Sequence, residues 1–597
     1  MRSNRFFGLL IGAMFLFILY FIVALYQHNF AITSFDYIKD IPTFFFGVPN
    51  QVFQSQLWKI IFLLPATVLF SVAFTRAGFQ FSIPEKINYR LIVSVLLLTV
   101  TIILVLSTQF LFQETEVTDD ENAYDFQAKT LLASRFINPP PPVLGKSMDD
   151  KYSDETSFDN WGIINDGHQW VGKYTLGHPA IIALGMALGN RYIVIIGISV
   201  LTLLLIYLIA EELYNDKKIA LLAFCLGCVS PFFYFVSSSR LSHTTSAFFL
   251  ALFMYLFLRL RHIQTWQKKA LMALLVGLVL GYAFNTRQLT AIGFSFPFII
   301  VWLMDHRQFP KRTFLIGLLI FIGFSFMLAL TLWYNSIVTG NWLQFPFHYY
   351  CPIERIGFSI RYTPSSALHN LAISIVRMNG PLFGFPLSLL FVFVFFFAKK
   401  EFADRLLFGI LGSIAFAYCF YYGPGVQDLG PIYYYETIIP LFILSARGIF
   451  FLYKTIFNRF DQGKVFILHF LVISCIMAFA TYIPERISHI ARLTEQIRKP
   501  YKTVRSANIH NALIMIKLWQ SQGAVSSYRS PSPKFTDDIV FCLYTDSVSN
   551  RTVLNYFSKR APYFLQYDKE NDLIEIFPLD RKTLQPVSPQ KIDIKKQ

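Results

Sequence analysis

Apolar runs long enough to cross a lipid bilayer dominate this sequence. A hydrocarbon core of about 30 Å requires roughly 20 apolar residues in a helix. Suitable runs fall near residues 6–26, 57–75, 91–112, 191–210, 219–236, 243–260, 270–284, 289–304, 313–333, 381–398, 405–422, 433–452 and 464–482. Only 15% of the 597 residues are charged and 54% are hydrophobic, which excludes an ordinary soluble protein. The sequence predicts an all-α polytopic membrane protein with about 13 transmembrane helices.

Basic residues mark one side of the predicted membrane. The net charge of +16 does not follow one face, as nucleic-acid binding would require, but lies in short loops between the apolar runs. These loops contain Arg76, Lys86, Arg90, Lys217, Lys218, Arg259, Arg261, Lys268, Lys269, Arg307, Lys311, Arg312, Lys399, Lys400, Arg405, Lys454, Arg459 and Lys464. The positive-inside rule therefore predicts a cytoplasmic N-terminus. The large loops 113–190 and 334–380 and the tail 483–597 then lie outside the cytoplasm.

The tail, residues 483–597, predicts a small extracytoplasmic α/β C-terminal domain. Its composition is more polar than that of the preceding chain, and turn-forming stretches separate its short apolar runs. The runs that read as strands are Ala512–Trp519, Asp538–Thr545, Tyr563–Tyr567 and Leu573–Phe577. A domain of this size buries too little surface for independent folding to be expected with certainty.

Three adjacent carboxylates, Asp119, Asp120 and Glu121, follow the apolar run 91–112. They repel one another and must be hydrated, paired with cations or bound to a metal ion. Asp119 is a suitable N-cap for a helix over the next residues, which would place Tyr124 on the same face as Asp120. Such a carboxylate could serve as a general base or a metal ligand, whereas the simpler alternative is a hydrated helix end.

Several cationic or ionisable side chains in the outer loops are candidates for binding a lipid phosphate. Lys173 and His178 precede a short apolar segment that we expect at the membrane interface, although the same residues would also suit an ordinary helix start. Arg287 occupies a tight outer turn, where it could grip a phosphate through two hydrogen bonds or only anchor the helix end. Arg240 and His243, in another outer turn, are less specific candidates.

Aromatic and amide side chains in two further outer segments suit sugar recognition. Tyr334 and Asn335 lead towards His348, and rings interleaved with amides favour sugar stacking and hydrogen bonds to hydroxyls. Tyr435 and Glu436 open a late apolar run, and an acid at that depth is a functional candidate.

Taken in order, these segments resemble the integral-membrane glycosyltransferases of the GT-C fold, family 39-like. That group includes protein O-mannosyltransferases, lipid A aminoarabinose transferases and enzymes that add galacturonic acid to lipopolysaccharide. The resemblance covers residues 85–460 and rests on Asp120-Glu121-x-x-Tyr124-x-x-Gln127-Ala128, Lys173-Tyr174-x-x-Gly177-His178-Pro179, Thr286-Arg287, Tyr334-Asn335-x-x-x-Thr339-Gly340 and Tyr433-Tyr434-Tyr435-Glu436-x-x-x-Pro440. It implies an extra N-terminal transmembrane hairpin, 1–80, before a GT-C transmembrane core, 81–482.

The resemblance implies an enzyme that transfers a sugar, with inversion, from a polyprenyl-phosphate-linked donor to an extracytoplasmic lipid, glycan or protein. In this interpretation Asp120 is the base, supported by Glu121 or Asp119, and Arg287 with Lys173 or His178 holds the departing phosphate. Arg240 would assist at the phosphate. The expected substrate-binding residues are Tyr124, His243, Tyr334, Asn335, His348, Tyr435 and Glu436.

The one candidate cofactor is a divalent metal ion. Its candidate ligands are Asp119, Asp120, Glu121 and His243. Where relatives carry an acid in the second outer loop, this chain has Ser242 and His243, so metal dependence stays open. The expected location is a bacterial inner membrane, because recognisable eukaryotic trafficking signals are absent.

Two other interpretations remain open at this point. A transporter or flippase for a lipid-linked substrate would also keep ionisable residues near its spans. However, the charges of this chain lie in outer loops, and no pair of interrupted helices stands out. The third interpretation is a non-catalytic membrane scaffold whose tail binds a partner.

Overall fold

The computed structural model describes residues 2–30, 43–44, 48–49, 57–79, 87–143, 157–308, 310–352, 356–360, 362–456, 462–517, 529–568 and 573–587. Within these ranges nine helices are long and apolar enough to cross a membrane. They are Lys59–Arg76, Tyr89–Leu111, Ile193–Tyr214, Ser242–Leu260, Trp266–Thr286, Gln288–Asp305, Lys311–Thr339, Ile432–Thr455 and Gly463–Ser506. The prediction of an all-α polytopic membrane protein is confirmed.

Three further predicted spans are helical but shorter or bent. The run 219–236 forms two helices, Lys217–Cys228 and Pro231–Ser237, which meet at 59°. The break has a local cause, because Ser230 caps the second helix and Pro231 begins it without an N–H group. The first run lies in the helix Arg2–Phe30, and the run 405–422 begins its helix at Phe402 and ends it at Tyr418.

The predicted span 381–398 departs from a regular helix. Only Leu390–Phe396 is helical in this run. Pro381 and Pro386 lack N–H donors, and the backbone at Gly384 and Leu387 has positive φ angles of 68° and 64°. An α-helix cannot continue through either feature.

The remaining elements are short. The other helices are Asp119–Leu132, Gly177–Ala187, Pro346–Tyr350, Pro364–Met378 and Ser547–Tyr556, and Gly463–Ser506 comprises the helices Gly463–Ala480 and Tyr482–Ser506. Outside the C-terminal domain, the described residues form three antiparallel pairs of short strands. These are Thr43–Phe44 with Val48–Pro49, Ile163–Asn165 with Trp170–Gly172, and Val426–Gln427 with Gly430–Pro431. The helix Asp119–Leu132 is called the acidic helix below.

The C-terminal domain contains a four-stranded mixed sheet. Its strands are Ala512–Lys517, Ile539–Leu543, Ala561–Asp568 and Leu573–Pro578, so all four predicted strands are confirmed. The first strand pairs in parallel with the second and third, and the fourth strand pairs antiparallel with the third. The helix Ser547–Tyr556 provides the crossover between the second and third strands.

The C-terminal sheet shares one hydrophobic core with the acidic helix. Ala123 and Phe126 of that helix are fully buried in a cluster with Trp170 and with the sheet residues Leu513 and Met515. Burial of apolar surface is the main force that holds such elements together. The domain and the acidic helix therefore lie on the same side of the transmembrane helices.

Candidate active site

The acidic helix begins with a reciprocal cap. Its N-cap is Thr118 rather than the expected Asp119, and the Glu121 side chain returns to the residues before the helix. Glu121 Oε2 accepts hydrogen bonds from the backbone N–H groups of Val117 (2.8 Å) and Thr118 (3.0 Å). Glu121 Oε1 accepts one from the backbone N–H of Arg240 (2.7 Å). These bonds make Glu121 a structural anchor, and its full burial raises its pKa.

Asp120 lies on the open side of the same turn. Its side chain is 26% exposed, whereas Glu121 is fully buried. The Tyr174 hydroxyl donates a hydrogen bond to Asp120 Oδ1 (2.5 Å), and Lys173 Nζ lies 3.6 Å from the same oxygen. Among the described residues, Oδ2 accepts no hydrogen bond. Of these two carboxylates, Asp120 is therefore the one that a substrate can reach, and Asp119 is likewise half-buried.

Lys173 occupies a box of aromatic rings. Its Nζ lies 4.9 Å from the ring centre of Trp161, 5.0 Å from Tyr174, 5.2 Å from Phe347 and 5.2 Å from Tyr350. The side chain is only 3% exposed. Cation–π attraction and the Asp120 carboxylate compensate for its loss of hydration. The box fixes a positive charge beside Asp120.

Tyr124 and Ser242 connect Asp120 to Arg287. The Tyr124 ring lies 4.4 Å from the Tyr174 ring, centre to centre, and its hydroxyl donates to Ser242 Oγ (3.0 Å). The Arg287 guanidinium donates to the same Oγ from its other side (3.1 Å). Burial, followed by the nearby Asp120 carboxylate, raises the pKa of Tyr124, which keeps this hydroxyl protonated as a donor. One continuous polar cluster therefore contains both the carboxylate and the guanidinium.

Arg287 is held by neutral and acidic partners. Its guanidinium donates to the Tyr418 hydroxyl (3.0 Å), and its Nε lies 3.5 Å from Glu436 Oε1. The guanidinium carbon lies 5.4 Å from the centre of the Tyr433 ring. A planar guanidinium with this support is oriented for a second, anionic partner.

Glu436 is a fully buried carboxylate beside this arginine. His243 Nδ1 lies 3.5 Å from Glu436 Oε1, and within the described part of the chain neither carboxylate oxygen makes a hydrogen bond. The His243 ring stacks on Tyr433 with 6.2 Å between ring centres. Buried carboxylates normally accept hydrogen bonds, so this site suits hydroxyl groups of a ligand. Tyr435 instead bonds Ser237 Oγ through its hydroxyl (3.0 Å).

Close backbone contact brings the Lys173 segment to the Arg287 turn. A Cβ on Gly177 would lie 2.5 Å from Thr286 Oγ1 and 2.7 Å from the carbonyl oxygen of Asn285. The Thr175 hydroxyl donates to that same carbonyl (2.6 Å), and Tyr282 donates to the carbonyl of Gly177 (2.8 Å). Only glycine permits this approach.

His178 and Arg240 hold protein groups rather than facing the cluster. His178 bonds Thr245 Oγ1 through Nδ1 (2.8 Å) and the carbonyl oxygen of Arg240 through Nε2 (2.6 Å), and burial lowers its pKa to about 3. Arg240 is fully buried, with its guanidinium 2.6 Å from Glu116 Oε1 and 3.1 Å from Asp125 Oδ1. Neither side chain is therefore placed to contact a phosphate, and the phosphate clamp contains neither His178 nor Arg240.

Glu116 is the centre of this buried ion-pair network. Arg191 lies 3.7 Å from Glu116 Oε1, and Arg529 of the C-terminal domain lies 3.0 Å from Oε2. Burial alone would raise the pKa of Glu116, but Arg240 and Arg529 hold it at about 2. The network joins the start of the acidic helix to two loops and to the C-terminal domain.

Tyr334, Asn335 and His348 lie behind the aromatic box. Tyr334 is buried in a cluster with Val171. Asn335 Nδ2 donates to the carbonyl oxygen of Trp342 (3.2 Å), and the His348 ring contacts Phe347 at 5.7 Å between ring centres. These residues support the wall that carries Phe347 and Tyr350.

The proposed metal ligands do not converge. No three His, Cys, Asp or Glu side chains are grouped to hold a metal ion in the described ranges of the chain. Glu121 has its oxygens on backbone amides, and His243 faces Glu436. The residues present therefore do not fit a divalent ion, and we derive no step through one.

Sequence reasoning assigned no role to four residues of the cluster. Tyr174 and Tyr433 lie in the motifs that begin at Lys173 and Tyr433, so the motif spacing could have identified them as site residues. Ser242 stood beside the candidate His243. Tyr418 lies in an apolar run, and the sequence there does not indicate that its hydroxyl contacts Arg287.

Comparison with known protein families gives one match to this chain. Residues 173–333 match the sequence model of the dolichyl-phosphate-mannose-protein mannosyltransferase family, a segment that contains Lys173, Ser242 and Arg287. The resemblance to dolichyl-phosphate-mannose-protein mannosyltransferases is thereby confirmed over this segment. The sequence matches no curated protein.

Among the solved structures similar to the chain are an ArnT and an archaeal oligosaccharyltransferase. ArnT from Cupriavidus metallidurans bound to undecaprenyl phosphate has 8% sequence identity and a TM-score of 0.49, with 81% of this chain and 94% of that chain covered. The archaeal oligosaccharyltransferase AglB from Archaeoglobus fulgidus, in complex with an inhibitory peptide and a dolichol-phosphate, has 12% identity and a TM-score of 0.40. The alignment with AglB covers 79% of this chain and 64% of that chain.

Proposed function

We propose that this protein transfers a sugar from a polyprenyl-phosphate-linked donor to a hydroxyl group of an acceptor. The observation that carries this proposal is the connection of Asp120 to Arg287 through Tyr124 and Ser242. It places a reachable carboxylate and a buried guanidinium in one cluster. The match to the mannosyltransferase family over residues 173–333 supports the same chemistry.

Asp120 takes the proton of the acceptor hydroxyl. Its Oδ1 is held by Tyr174 and Lys173, which leaves Oδ2 without a hydrogen bond among the described residues. As the proton moves to Asp120, the acceptor oxygen forms a bond to the anomeric carbon. The bond from that carbon to the phosphate oxygen breaks on the opposite face, so the configuration inverts.

Arg287 stabilises the phosphate that leaves. The electron pair of the broken bond stays on the phosphate oxygen, where a planar guanidinium can donate two parallel hydrogen bonds. Ser242 and Tyr418 hold the plane of the guanidinium through hydrogen bonds, and Glu436, 3.5 Å from Nε, compensates part of its charge. Lys173 adds a second fixed positive charge beside the reacting groups.

Glu436 and His243 bind hydroxyl groups of the transferred sugar. The unbonded oxygens of Glu436 accept from hydroxyls, and the stacked rings of His243 and Tyr433 form an aromatic surface next to them. We further propose a hexosyl or pentosyl donor and an envelope acceptor such as lipopolysaccharide. The site would face the extracytoplasmic side of a bacterial inner membrane.

Purified protein in lipid nanodiscs tests the proposal. Undecaprenyl phosphate carrying a neutral hexose, a hexuronic acid or an aminopentose is incubated with bacterial envelope lipids, and mass spectrometry follows free undecaprenyl phosphate and the glycosylated product. We expect one donor to be consumed by wild type and not by Asp120→Asn. Movement of intact donor across proteoliposomes, with no product from any donor, would instead favour a transporter.

A further inference from the structure

The C-terminal domain grips the acidic helix through Ser530. The Ser530 backbone N–H donates to Asn122 Oδ1 (3.1 Å), and Asn122 Nδ2 donates back to Ser530 Oγ (3.2 Å). Asn160 Nδ2 donates to the same hydroxyl oxygen (2.9 Å). Ser530 is only 4% exposed. Its amide and its hydroxyl are therefore both committed to segments outside the domain.

The neighbouring Arg529 contacts the residues before the acidic helix. Its guanidinium lies 3.0 Å from Glu116 Oε2. Its backbone N–H donates to the Tyr501 hydroxyl (2.7 Å), and its guanidinium covers the Tyr501 ring at 5.0 Å. Tyr501 in turn packs edge-on against Phe541 of the C-terminal sheet at 5.0 Å. The segment 529–530 is thus anchored in its own domain while it holds the helix.

These contacts bracket Asp120. Glu116 precedes the first turn of the acidic helix, and Asn122 follows Asp120 by two residues within that turn. An α-helical turn is a rigid unit, because its backbone hydrogen bonds fix the relative positions of its residues. Holding the chain at Glu116 and at Asn122 therefore fixes the position of the carboxylate between them.

We propose that Ser530 and Arg529 are positioning residues for the reaction, through which the C-terminal domain sets the place of Asp120 relative to Arg287. This inference rests on the proposed function. The shared apolar core already fastens the domain to the helix, but apolar packing is non-directional. The paired hydrogen bonds of Ser530 and Asn122 are directional and fix the orientation of the acidic helix. A small displacement of a catalytic group lowers the reaction rate strongly.

Kinetics of full-length variants in nanodiscs provide the first test. We expect Ser530→Ala and Asn122→Ala each to lower kcat about 10- to 100-fold, while KM for the undecaprenyl-phosphate donor changes little. Ser530→Ala removes the hydroxyl bond to Asn122 and keeps the backbone bond, whereas Asn122→Ala removes both, so the effects should be less than additive in the double variant. Ser532→Ala is the matched control, since the Ser532 hydroxyl bonds only Thr536 of its own domain among the described residues. Unchanged kcat in both single variants would overturn the inference.

Hydrogen exchange provides a second test that needs no substrate. Peptides that cover residues 117–126 should exchange faster in Ser530→Ala than in wild type or Ser532→Ala, with the spanning helices unchanged. Unchanged exchange in those peptides would overturn the inference by itself. If no donor is consumed by wild type, the proposed transfer fails, and the exchange result still decides whether Ser530 holds the acidic helix.

Discussion

The Tyr174 hydroxyl donates a hydrogen bond to Asp120 across two segments that are far apart in the sequence. The O···O distance is 2.5 Å, and burial raises the pKa of Tyr174, so this group stays protonated and acts as a donor. The same Tyr174 ring also forms one wall of the box around Lys173. One tyrosine thus orients the carboxylate and bounds the adjacent cation.

Asp120→Asn should lower turnover by about 10²- to 10⁴-fold, because the amide keeps the size of the side chain but cannot take a proton. Donor binding should be largely retained. Steady-state kinetics with the accepted donor, together with donor binding by isothermal titration, measures both quantities. Asp119→Asn is the neighbouring control and should remain close to wild type. Wild-type turnover in Asp120→Asn would remove Asp120 from the role of base.

Glu121→Gln should act through stability rather than chemistry. The carboxylate accepts three backbone hydrogen bonds, and a side-chain amide can replace only part of them. Loss of a capping interaction typically costs about 0.5–2 kcal/mol. Thermal unfolding in detergent should therefore show a lower Tm, while kcat of the folded fraction stays near wild type. A stable but inactive Glu121→Gln would mean that Glu121, not Asp120, takes the proton.

Arg287→Lys should lose most activity while the protein stays folded. An ammonium group cannot donate the two parallel hydrogen bonds of a guanidinium or keep the contacts with both Ser242 and Tyr418. The measurement is kcat/KM, with size-exclusion profiles to verify folding. Arg259→Lys, in an exposed ion pair in the last turn of the helix Ser242–Leu260, is the matched control. Near-native turnover in both Arg287→Lys and Arg287→Ala would leave Arg287 as a helix anchor only.

Glu116 should make stability depend on acid pH. The folded-state pKa of Glu116 is about 2, below the usual value of about 4.3 for an unfolded chain. Its contribution is therefore present above the unfolded value and is lost as the pH falls towards 2. Glu116→Gln should destabilise the protein at neutral pH by less than the about 3–5 kcal/mol that breaking a buried ion pair costs, because Arg240 keeps its pair with Asp125.

Thermal unfolding of wild type and Glu116→Gln at several pH values measures this effect. The difference in Tm between the two proteins should narrow as the pH is lowered from about 5 towards the folded-state pKa. Glu495→Gln is the control, because its pair with Lys502 is exposed and should contribute about 0–1 kcal/mol. A difference that stays constant with pH would contradict the assigned role of the Glu116 charge.

The C-terminal domain and the short basic loops should lie on opposite sides of the membrane. Val548 is 74% exposed in the domain, and Lys268 is exposed at a basic loop. In spheroplasts, a membrane-impermeant maleimide should label Val548→Cys directly and Lys268→Cys only after permeabilisation. The six native cysteines are buried or half-buried, and wild type gives the background. The reverse pattern would invert the assigned orientation.

Features set by local patterns were predictable from the sequence. Apolar length gave the spans, and short apolar runs between turns gave the four strands, because both depend on neighbouring residues. The irregular backbone of the run 381–398 was not predicted, because hydrophobicity alone does not reflect the effect of Pro386 or the positive φ at Leu387. Asp120 and Arg287 were candidates because Asp120 belongs to an acid cluster and Arg287 is a single charge, both in predicted outer loops.

The roles of individual charges depended on partners distant in the chain. Glu121 and Asp120 are adjacent in sequence, yet the first is held by the backbone of Arg240 and the second faces outward. Arg240 finds its counter-charges at Glu116 and Asp125. The sequence did not indicate a role for Ser530, because serines are common in polar segments and its contact with Asn122 is visible only in the structure.

The contact at Gly177 has a consequence for how substrates can bind. Because Gly177 lies directly against Asn285 and Thr286, the Lys173 segment cannot shift relative to the Arg287 turn without losing that contact. This side of the site is preorganised, so little conformational entropy is lost there when a donor arrives. The ordering that accompanies binding then falls mainly on the substrates.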